Sequence, residues 1–438
     1  MNNFLDKDKF VKRANRYFQV TGQVSGLLTR LGANKLFGVK INKDKHALRL
    51  KNDLGAVKGP FMKIAQLLSM IPEALPEEYS NQLIELQSHA PSMGESFVRR
   101  RMYNELGSKW DNSFLEFNTE ASYAASLGQV HKAKLKKGDL VACKLQYPDM
   151  QSAVNADLNQ FQLILNLFEK YNKAIKTKKI FLEIKERLIE EINYENEIKN
   201  MYVFKKIFKK NNFINIPNVY KDYSTKRLIT MSWLEGRSLN SVIKHSKNKK
   251  SFCEKIAKNI FNTWYIPFYK FCAIHGDPHF GNYSFRTNGD VNLFDFGCVR
   301  FFPVKFVKAV LDLYHALEKK DEDLAIEAYK KWGFKKINKE LIKVLNQWAS
   351  YIYGPLLEDK KRLIQGEKKR HGFDIANNVY KELKKIGGVE PPKEFVFMDR
   401  AAIGMGSLFM KLNVKLNWHS LFQDLIKDFD ENKVLKEI

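Results

Sequence analysis

Cysteine is scarce in this chain, which has four cysteines in 438 residues, at positions 143, 253, 272 and 298. No two of them form a Cys-x-x-Cys pair, which argues against a zinc site or a disulfide framework. The sequence has no run of about 18 uncharged apolar residues, so we expect no transmembrane helix. Its first residues lack the apolar core of a signal peptide. These absences predict a cytoplasmic protein in a reducing compartment.

Acidic residues are few relative to basic ones, with 49 Asp and Glu against 74 Lys and Arg, and the formal charge is +25. This balance favours anionic partners, namely phosphate ligands, acidic membrane surfaces or nucleic acid. Lysines spread over solvated faces are the alternative explanation. Nucleic acid is the weakest of the three partners, since no aromatic–basic interleaving or known binding motif is present. Contact with an anionic membrane, such as the inner membrane, would be peripheral and electrostatic.

The pattern of apolar residues divides the chain into three predicted regions, without internal repeats or a low-complexity linker. Residues 1–115 read as a helical N-terminal extension, residues 116–235 carry strand-like runs, and residues 236–438 are mostly helical. The predicted helices beyond the extension cover residues 151–172, 179–207, 238–274, 303–319, 321–332, 337–352, 373–387, 393–412 and 415–431. The predicted strands include residues 141–145, 214–219, 227–233, 283–285 and 291–294.

One polar motif indicates chemistry on phosphates. Residues 275–282 read His-Gly-Asp-Pro-His-Phe-Gly-Asn, and Asp295 opens an Asp-Phe-Gly. Carboxylate and amide oxygens are ligands that suit Mg²⁺. In a kinase-like site one Asp takes the catalytic position, while an Asn and the Asp of Asp-Phe-Gly hold metal ions that bridge the phosphates. The order and spacing assign these roles to Asp277, Asn282 and Asp295; a loop with a chance Asp-Phe-Gly is the alternative.

Upstream, a segment of small residues lies between two strand-like runs, where backbone amides are able to approach a phosphate. The strand that follows carries Lys144, and a lysine within an apolar strand is costly unless it is paired. An edge-strand lysine that points to water is the alternative. The candidate cofactor-binding residues of the loop are Ala124, Ala125, Ser126, Leu127, Gly128 and Gln129.

The helix predicted over residues 179–207 supplies candidates for a partner of Lys144. In a kinase-like fold a helix glutamate pairs with the strand lysine and fixes it on the phosphates, and Glu191 is the natural candidate. Glu197 lies about 240° further round the same helix, so the two would share a face only in a distorted helix. Glutamates on a solvated helix face are the alternative.

Two further segments add candidates. Residues 227–233 predict a strand that enters a short linker, where a nucleotide base would meet an inter-lobe hinge, so Met231 and Trp233 are candidate base contacts. Near the N-terminus, Pro60 suits the first turn of a helix. Lys63 and Gln66 then share a helix face beside an apolar stripe; a solvated Lys and Gln is the more common arrangement.

Together these motifs resemble those of the UbiB-type atypical kinases, within the protein-kinase-like superfamily. Residues 58–66 are similar to the family's Lys-x-Gly-Gln helix, and residues 124–131 to its alanine-rich nucleotide loop. The lysine strand, the Glu-x-Asp motif, and the catalytic and metal loops follow at residues 141–148, 191–194 and 275–297. The resemblance implies an α+β, bilobal protein-kinase-like fold with a small β-containing N-lobe, a helical C-lobe and helical extensions at both ends.

The resemblance also implies ATP and Mg²⁺ as cofactors. Lys144 would contact the α- and β-phosphates with Glu191 as its ion-pair partner, Asn282 and Asp295 would hold Mg²⁺, and Asp277 would occupy the catalytic-base position. Lys63 and Gln66 would belong to an extension that occludes the place of a protein substrate.

The family resembles ATPases more than protein kinases, and its members support ubiquinone (coenzyme Q) biosynthesis. The expected partners are therefore a nucleotide, a lipid or ubiquinone precursor, an anionic membrane and the ubiquinone-biosynthesis proteins. A kinase for a small molecule or a protein is one alternative. A non-catalytic, nucleotide-gated lipid-binding or scaffold protein is the other.

Three positions depart from the family pattern. Ala65 replaces the hallmark glycine, which keeps the helix but adds a methyl group. Asn193 replaces the acid of Glu-x-Asp, so this position lacks the negative charge of the family motif. Tyr123 stands where a small residue is usual, which predicts a bulkier nucleotide loop.

Overall fold

The computed structural model describes Leu48 and residues 63–64, 92–124, 127–171, 177–245, 249–278, 280–334, 337–364, 371–386 and 393–437. Within these residues the longer helices are α1 Glu95–Leu106, α2 Met150–Tyr171, α3 Thr177–Glu191, α4 Tyr194–Ile207, α5 Leu239–His245, α6 Lys249–Phe271, α7 Val304–Lys319, α8 Glu322–Trp332, α9 Lys339–Leu357, α10 His371–Ile386, α11 Lys393–Leu412, α12 Trp418–Ile426 and α13 Glu431–Glu437. The strands are β1 Phe114–Phe117, β2 Tyr123–Ala124, β3 Gly128–Leu135, β4 Leu140–Gln146, β5 Ile214–Asn215, β6 Leu228–Ser232, β7 Ala273–His275, β8 Tyr283–Phe285, β9 Val291–Leu293, β10 Val299–Phe301, β11 Lys361–Arg362 and β12 Leu416–Asn417.

The chain forms two compact units. The first unit contains the described residues up to Asn196 together with Val219–Trp233, and the second contains Glu197–Asn218 and the residues from Leu234 onward. The boundaries predicted at residues 115 and 235 for an extension, an N-lobe and a C-lobe stay predictions. Within the described residues, every helix is too short or too polar to span a bilayer. The four cysteines are free thiols, as their spacing predicts.

The first unit is built on an antiparallel sheet. Its strand order is β1-β3-β4-β6, and β2 pairs with the other end of β3. Strand β3 alternates buried and half-buried side chains along most of its length, as expected for a sheet with one face in a core. Helix α1 contributes Val98 and Met102 to that core, beside Val141 and Cys143 of β4. A short turn joins β3 to β4, and Gly138 in it adopts φ +92°, a conformation that favours glycine.

The prediction of one continuous helix over residues 179–207 is wrong. Helix α3 ends at Glu191, and α4 begins at Tyr194. Asn193 separates the two helices, and its side-chain oxygen accepts a hydrogen bond from the backbone N–H of Asn196 at 3.2 Å. An Asn side chain favours this capping arrangement over helix continuation. Glu191 and Glu197 therefore lie on different helices, and their predicted 240° separation does not apply.

The second unit is mostly helical, with short strands around the polar motif. Strand β7 pairs with β10, and β5, β9 and β8 form a small sheet. The hairpin predicted at residues 283–294 is confirmed as β8 and β9. The strand predicted at residues 214–219 is shorter, since only Ile214–Asn215 forms a ladder. Within the helix predicted at residues 238–274, the described residues form α5 and α6, and β7 begins at Ala273. The helix predicted at residues 415–431 is replaced by β12, α12 and α13.

Candidate functional site

Lys144 lies on an interior strand of the first unit. Strand β4 pairs with β3 on one side and β6 on the other, so the edge-strand alternative is wrong. The side chain is half-buried, and its ammonium nitrogen Nζ lies 5.3 Å from the centroid of the Tyr194 ring. A cation at this distance from an aromatic face is attracted by the ring quadrupole. The sheet and the buried Tyr194 thus hold Lys144 in one place.

Tyr194 also lies close to Gly128, near the end of the predicted nucleotide loop and at the start of β3. A Cβ atom built at Gly128 would lie 2.8 Å from the Tyr194 hydroxyl oxygen and 2.6 Å from the carbonyl oxygen of Leu145. Glycine is therefore required at this position because backbone and side chain approach it too closely for any Cβ. Sequence reasoning missed Tyr194; its position directly after the Glu-x-Asp-like segment was the available signal.

The remaining loop residues differ in their surroundings. Leu127 is buried, and Ala124 is half-buried in β2 beside the exposed Tyr123. Ala125 and Ser126 lie outside the described residues. Tyr123 directs most of its side chain toward solvent, with 67% of its surface exposed.

Gln129 is buried, and its side-chain amide makes hydrogen bonds within the first unit. Its amide oxygen accepts from the Met93 N–H at 2.7 Å, and its Nε2 donates to the Met93 carbonyl at 3.0 Å. Nε2 also lies 2.9 Å from Nε2 of His131, whose Nδ1 lies 2.9 Å from the carbonyl oxygen of Asn118. These contacts fit a neutral His131 that donates from Nδ1 and accepts at Nε2. Burial lowers the pKa of His131, which favours this neutral form.

Glu191 forms an ion pair with Lys63. The Lys63 Nζ lies 2.8 Å from Oε1 of Glu191, and the two side chains are 11% and 18% exposed. The end of α3 is fixed by Gln146 of β4, which donates from Nε2 to the Ile192 carbonyl at 2.8 Å. Sequence reasoning paired Glu191 with Lys144, and that pairing stays a prediction. Gln66 lies outside the described residues.

The two candidate base contacts lie at the end of β6. Met231 is buried and stands opposite Ala142 in the ladder with β4. Trp233 follows the strand and donates its backbone N–H to the Leu140 carbonyl at 2.9 Å. Lys132 places its Nζ 4.8 Å from the centroid of the Trp233 ring. Both residues are thus fixed at the margin of the sheet.

In the second unit, the structure brings Asp277 and Asn282 together. The Asn282 Nδ2 donates to the Asp277 backbone carbonyl at 2.9 Å and lies 3.3 Å from its carboxylate Oδ2. Because Asn282 uses its Nδ2 to donate to Asp277, its amide oxygen is left as an acceptor or a metal ligand. Burial raises the pKa of Tyr283, and the neighbouring Asp277 charge adds to this effect, so Tyr283 stays protonated.

Asp295 adopts the left-handed conformation, with φ +56°, at the start of the Asp-Phe-Gly turn. Its Oδ1 accepts from the Gly297 N–H at 3.3 Å. A non-glycine residue at positive φ is uncommon, although Asp and Asn tolerate it better than most residues. Such conformations cluster at ligand sites, where surrounding contacts hold the backbone in place.

His275 holds this turn, and sequence reasoning gave it no role. The imidazole is 1% exposed, and its Nε2 lies 2.7 Å from the Asp295 carbonyl oxygen and 3.0 Å from that of Phe294. Phe296 packs edge-on against the ring, with centroids 5.6 Å apart. His275 therefore positions the backbone that carries Asp295. Its place in the His-Gly-Asp motif was the available signal.

Two close approaches fix the strand and the loop around Asp277. A Cβ at Gly276 would lie 2.4 Å from the Cys298 carbonyl oxygen, whose hydrogen bond from the Gly276 N–H joins β7 to β10. A Cβ at Gly404 of α11 would lie 2.7 Å from Cγ of Pro278. Helix α11 thus packs directly on the loop that follows Asp277. Sequence reasoning assigned no such contact to this helix.

Residues 85–329, more than half of the chain, match the model of the ABC1 atypical kinase-like domain. The chain is 31% identical over 270 residues to the mitochondrial atypical kinase COQ8 of Saccharomyces cerevisiae, covering 61% of this chain and 53% of that protein. It is also 31% identical over 268 residues to the chloroplastic protein ACTIVITY OF BC1 COMPLEX KINASE 7 of Arabidopsis thaliana, covering 60% of this chain and 38% of that one. The chain thus spans about half the length, or less, of these curated relatives.

A solved structure supports the same fold. The complex of Rv3197 with erythromycin from Mycobacterium tuberculosis matches with a TM-score of 0.59 and 24% identity, covering 93% of this chain and 98% of that one. This likeness and the domain match confirm the α+β, protein-kinase-like fold expected from the motifs. The chain therefore belongs to the ABC1 atypical kinase-like family, the UbiB family that its sequence motifs resemble.

Proposed function

We propose that this chain binds ATP with Mg²⁺ and acts as an atypical kinase or ATPase that supports ubiquinone biosynthesis. The observation that carries the proposal is the arrangement of Asp277, Asn282 and Asp295. One amide nitrogen is used to hold Asp277, and Asp295 is kept in a left-handed turn by its own side chain. Such fixed oxygen donors suit a phosphate-bound metal.

The oxygen donors of Asn282 and Asp295 suit Mg²⁺ that also binds phosphates, and they are too few to hold a metal ion by protein ligands alone. Among the described residues, no group of three or more His, Cys, Asp or Glu side chains is placed to hold a metal ion. Mg²⁺ is usually bound through one or two carboxylates plus substrate phosphates and waters. Asn282 and Asp295 would therefore hold the metal together with the phosphates. The metal would neutralise charge on the phosphates, as in other phosphoryl-transfer sites.

The other residues have roles that follow from their surroundings. Lys144 would contact the α- and β-phosphates, since its cation is held on an interior strand against Tyr194. Gly128 would let the loop backbone approach the nucleotide, and Met231 with Trp233 would contact the base. Asp277 would accept a proton from the acceptor hydroxyl or orient a water molecule.

The position of Lys63 is relevant to which substrates the chain accepts. Its mostly buried ion pair with Glu191 fixes the Lys63 side chain at the end of α3. We propose that the N-terminal extension predicted to carry Lys63 restricts protein substrates, so that turnover serves a small or lipid acceptor, or water. The charge of +25 supports peripheral contact with an anionic membrane, and membership of the UbiB family supports a place in ubiquinone biosynthesis.

Nucleotide binding is tested by thermal stabilisation. ATP with Mg²⁺ should raise the melting temperature, because a ligand at 100 times its dissociation constant stabilises the folded state by about 2.7 kcal/mol. Asp295→Asn should abolish the Mg²⁺-dependent part, and its backbone should tolerate the change because Asn also adopts positive φ. The exposed Asp428→Asn is the matched control. Absence of any nucleotide effect in the unmodified chain would refute the proposal.

Turnover is tested separately. ATP hydrolysis should rise when anionic liposomes and a ubiquinone-precursor mimic are added, and Asp277→Asn should remove it. Nucleotide binding without turnover in every condition would favour the non-catalytic alternative. Transfer of the γ-phosphate to the added precursor would favour a small-molecule kinase.

A further inference from the structure

The linker that follows Trp233 is attached to the hairpin of β8 and β9 in the second unit. Residues 235–237 are exposed to solvent, so burial does not fix their position. The Arg237 N–H donates to the Phe285 carbonyl at 2.9 Å, and the Phe285 N–H donates to the Arg237 carbonyl at 2.9 Å. The linker therefore adds one antiparallel bridge beside β8.

A buried side chain makes a second attachment. Asn292 of β9 is 0% exposed, and its Nδ2 donates to the Glu235 carbonyl at 3.0 Å and to the Ser284 Oγ at 2.8 Å. Ser284 stands directly opposite Asn292 in the hairpin ladder, so the two side chains share one face. A buried amide is costly unless it is hydrogen-bonded. One amide nitrogen thus joins the linker, β8 and β9.

The linker fits so closely on this face that Gly236 has no room for a side chain. A Cβ atom built there would lie 2.6 Å from Nδ2 of Asn292 and 3.0 Å from Cβ of Ser284. Gly236 is not among the described residues at positive φ, so this close approach is what requires glycine. A methyl group at this position would displace the Asn292 amide from the Glu235 carbonyl.

The same hairpin carries the candidate metal-binding residues at its two ends. Asn282 directly precedes β8, and Asp295 follows the end of β9 by two residues. The Phe294 N–H donates to the Asn282 carbonyl at 2.9 Å and closes the ladder at this end. A nucleotide whose base meets the linker and whose phosphates meet the metal would therefore contact two segments that one hairpin supports.

We propose that Asn292 is a positioning residue for ATP, which sets the place of the linker relative to Asn282 and Asp295. This inference rests on the proposed function, in which the end of β6 and the linker receive the base. Loss of the Asn292 amide would release the linker and lower the fraction of chains ready to bind a nucleotide. A ligand with a base should be weakened, and a bare polyphosphate should not.

Two ligands separate the base from the phosphates. ATP and tripolyphosphate, each with Mg²⁺, share the phosphates and the metal, and only ATP has a base. In Asn292→Ala the affinity for ATP, measured by isothermal titration calorimetry, should fall about 5-fold, the effect of one net hydrogen bond. The affinity for tripolyphosphate should not change.

Asn259→Ala is the matched control. Asn259 of α6 is also buried, and its Nδ2 donates to the Gly289 carbonyl at 2.8 Å, at the turn of the same hairpin. This variant removes a comparable hydrogen bond at a distance from the linker, so the affinities for both ligands should stay as in the unmodified chain. An equal loss of ATP affinity in Asn259→Ala would refute the positioning role of Asn292.

Gly236→Ala is a second, independent variant, because its methyl group displaces the Asn292 amide without removing it. It should lower ATP affinity in the same way. Amide hydrogen exchange gives a measurement without ligand: the N–H groups of Arg237 and Phe285 should exchange faster in Asn292→Ala and Gly236→Ala than in the control. Far-UV circular dichroism checks that each variant folds.

The outcomes distinguish this inference from the proposed function. Unchanged ATP affinity in the folded variants, or an equal loss for tripolyphosphate, would overturn the role of Asn292 and leave ATP binding in place. Absence of ATP binding in the unmodified chain would overturn the proposed function and, with it, this inference.

Discussion

The Lys63–Glu191 ion pair can be tested by a double-mutant cycle. Lys63→Met and Glu191→Gln each remove one charge and keep a similar side-chain length. Each single change leaves the other charge mostly buried, because the two side chains are only 11% and 18% exposed. The double variant removes both charges. The interaction energy is the difference between the double change and the sum of the single ones.

The magnitude follows from the burial. Removing one partner of a fully buried pair costs about 3–5 kcal/mol, since the remaining charge loses that interaction. The residual exposure allows some rehydration, so we expect about 2–3 kcal/mol for each single variant. The coupling energy should be about 2 kcal/mol. For comparison, the Arg99–Glu95 pair of α1 is 61% and 55% exposed and should show less than about 0.5 kcal/mol.

Native-state hydrogen exchange is the suitable assay. Two compact units need not unfold together, and amide exchange in β4 reports the opening free energy of the first unit directly. Losses that add to within about 0.5 kcal/mol would refute the coupling of Lys63 to Glu191. A parallel cycle of Lys144→Met with Glu191→Gln tests the pairing predicted from the sequence. A larger coupling in that cycle would assign Glu191 to Lys144.

Three further predictions concern the first unit. Gly128→Ala should destabilise it by about 1–3 kcal/mol in urea unfolding, because the new methyl group would lie 2.6 Å from the Leu145 carbonyl oxygen; Gly94→Ala, with open space around it, is the control. Asn193→Ala should cost about 1 kcal/mol through loss of the cap, and Asn193→Asp should be nearly neutral in thermal unfolding. Burial lowers the pKa of His131 below its usual 6.5, so the unfolded chain takes up this proton first as the pH falls. The free energy of unfolding should therefore decrease below pH 6.5, and His131→Gln should remove that part of the pH dependence.

For each of these three predictions, one outcome would contradict the stated cause. Equal destabilisation by Gly94→Ala would show that the close contacts at Gly128 are not the cause. A neutral Asn193→Ala would mean that the break between α3 and α4 does not rest on the cap. An unchanged acid slope in His131→Gln would assign the pH dependence to other groups.

The elements with strong local patterns were predictable. The hairpin of β8 and β9 follows from alternating residues across a turn, and α7 and α11 follow from helical periodicity. The break at Asn193 was missed because apolar periodicity on both sides of it suggested one helix. The capping side chain outweighed that pattern. The shortened β5 was missed because ladder pairing depends on a distant partner strand, β9.

In the candidate site, too, features within one short segment were predictable from the sequence, and features that join distant segments were not. Asp277 and Asn282 are five positions apart, and their hydrogen bond closes within one short loop, so residues that the motif placed in one site also lie together in the structure. The role of Tyr194 depends on Gly128 and Lys144, which belong to other elements of the first unit. The Gln129 side chain makes two hydrogen bonds to the backbone of Met93, and no local sequence pattern predicts them.

The sequence by itself determined the family and the order of the motifs, including the Asp and Asn residues of the segment 275–297, because these depend on residue type and short spacing. Only the tertiary structure decided that Glu191 pairs with Lys63 and that Lys144 lies on an interior strand. These outcomes depend on which distant side chains pack together, since buried charges and polar groups find partners wherever the packed core places them.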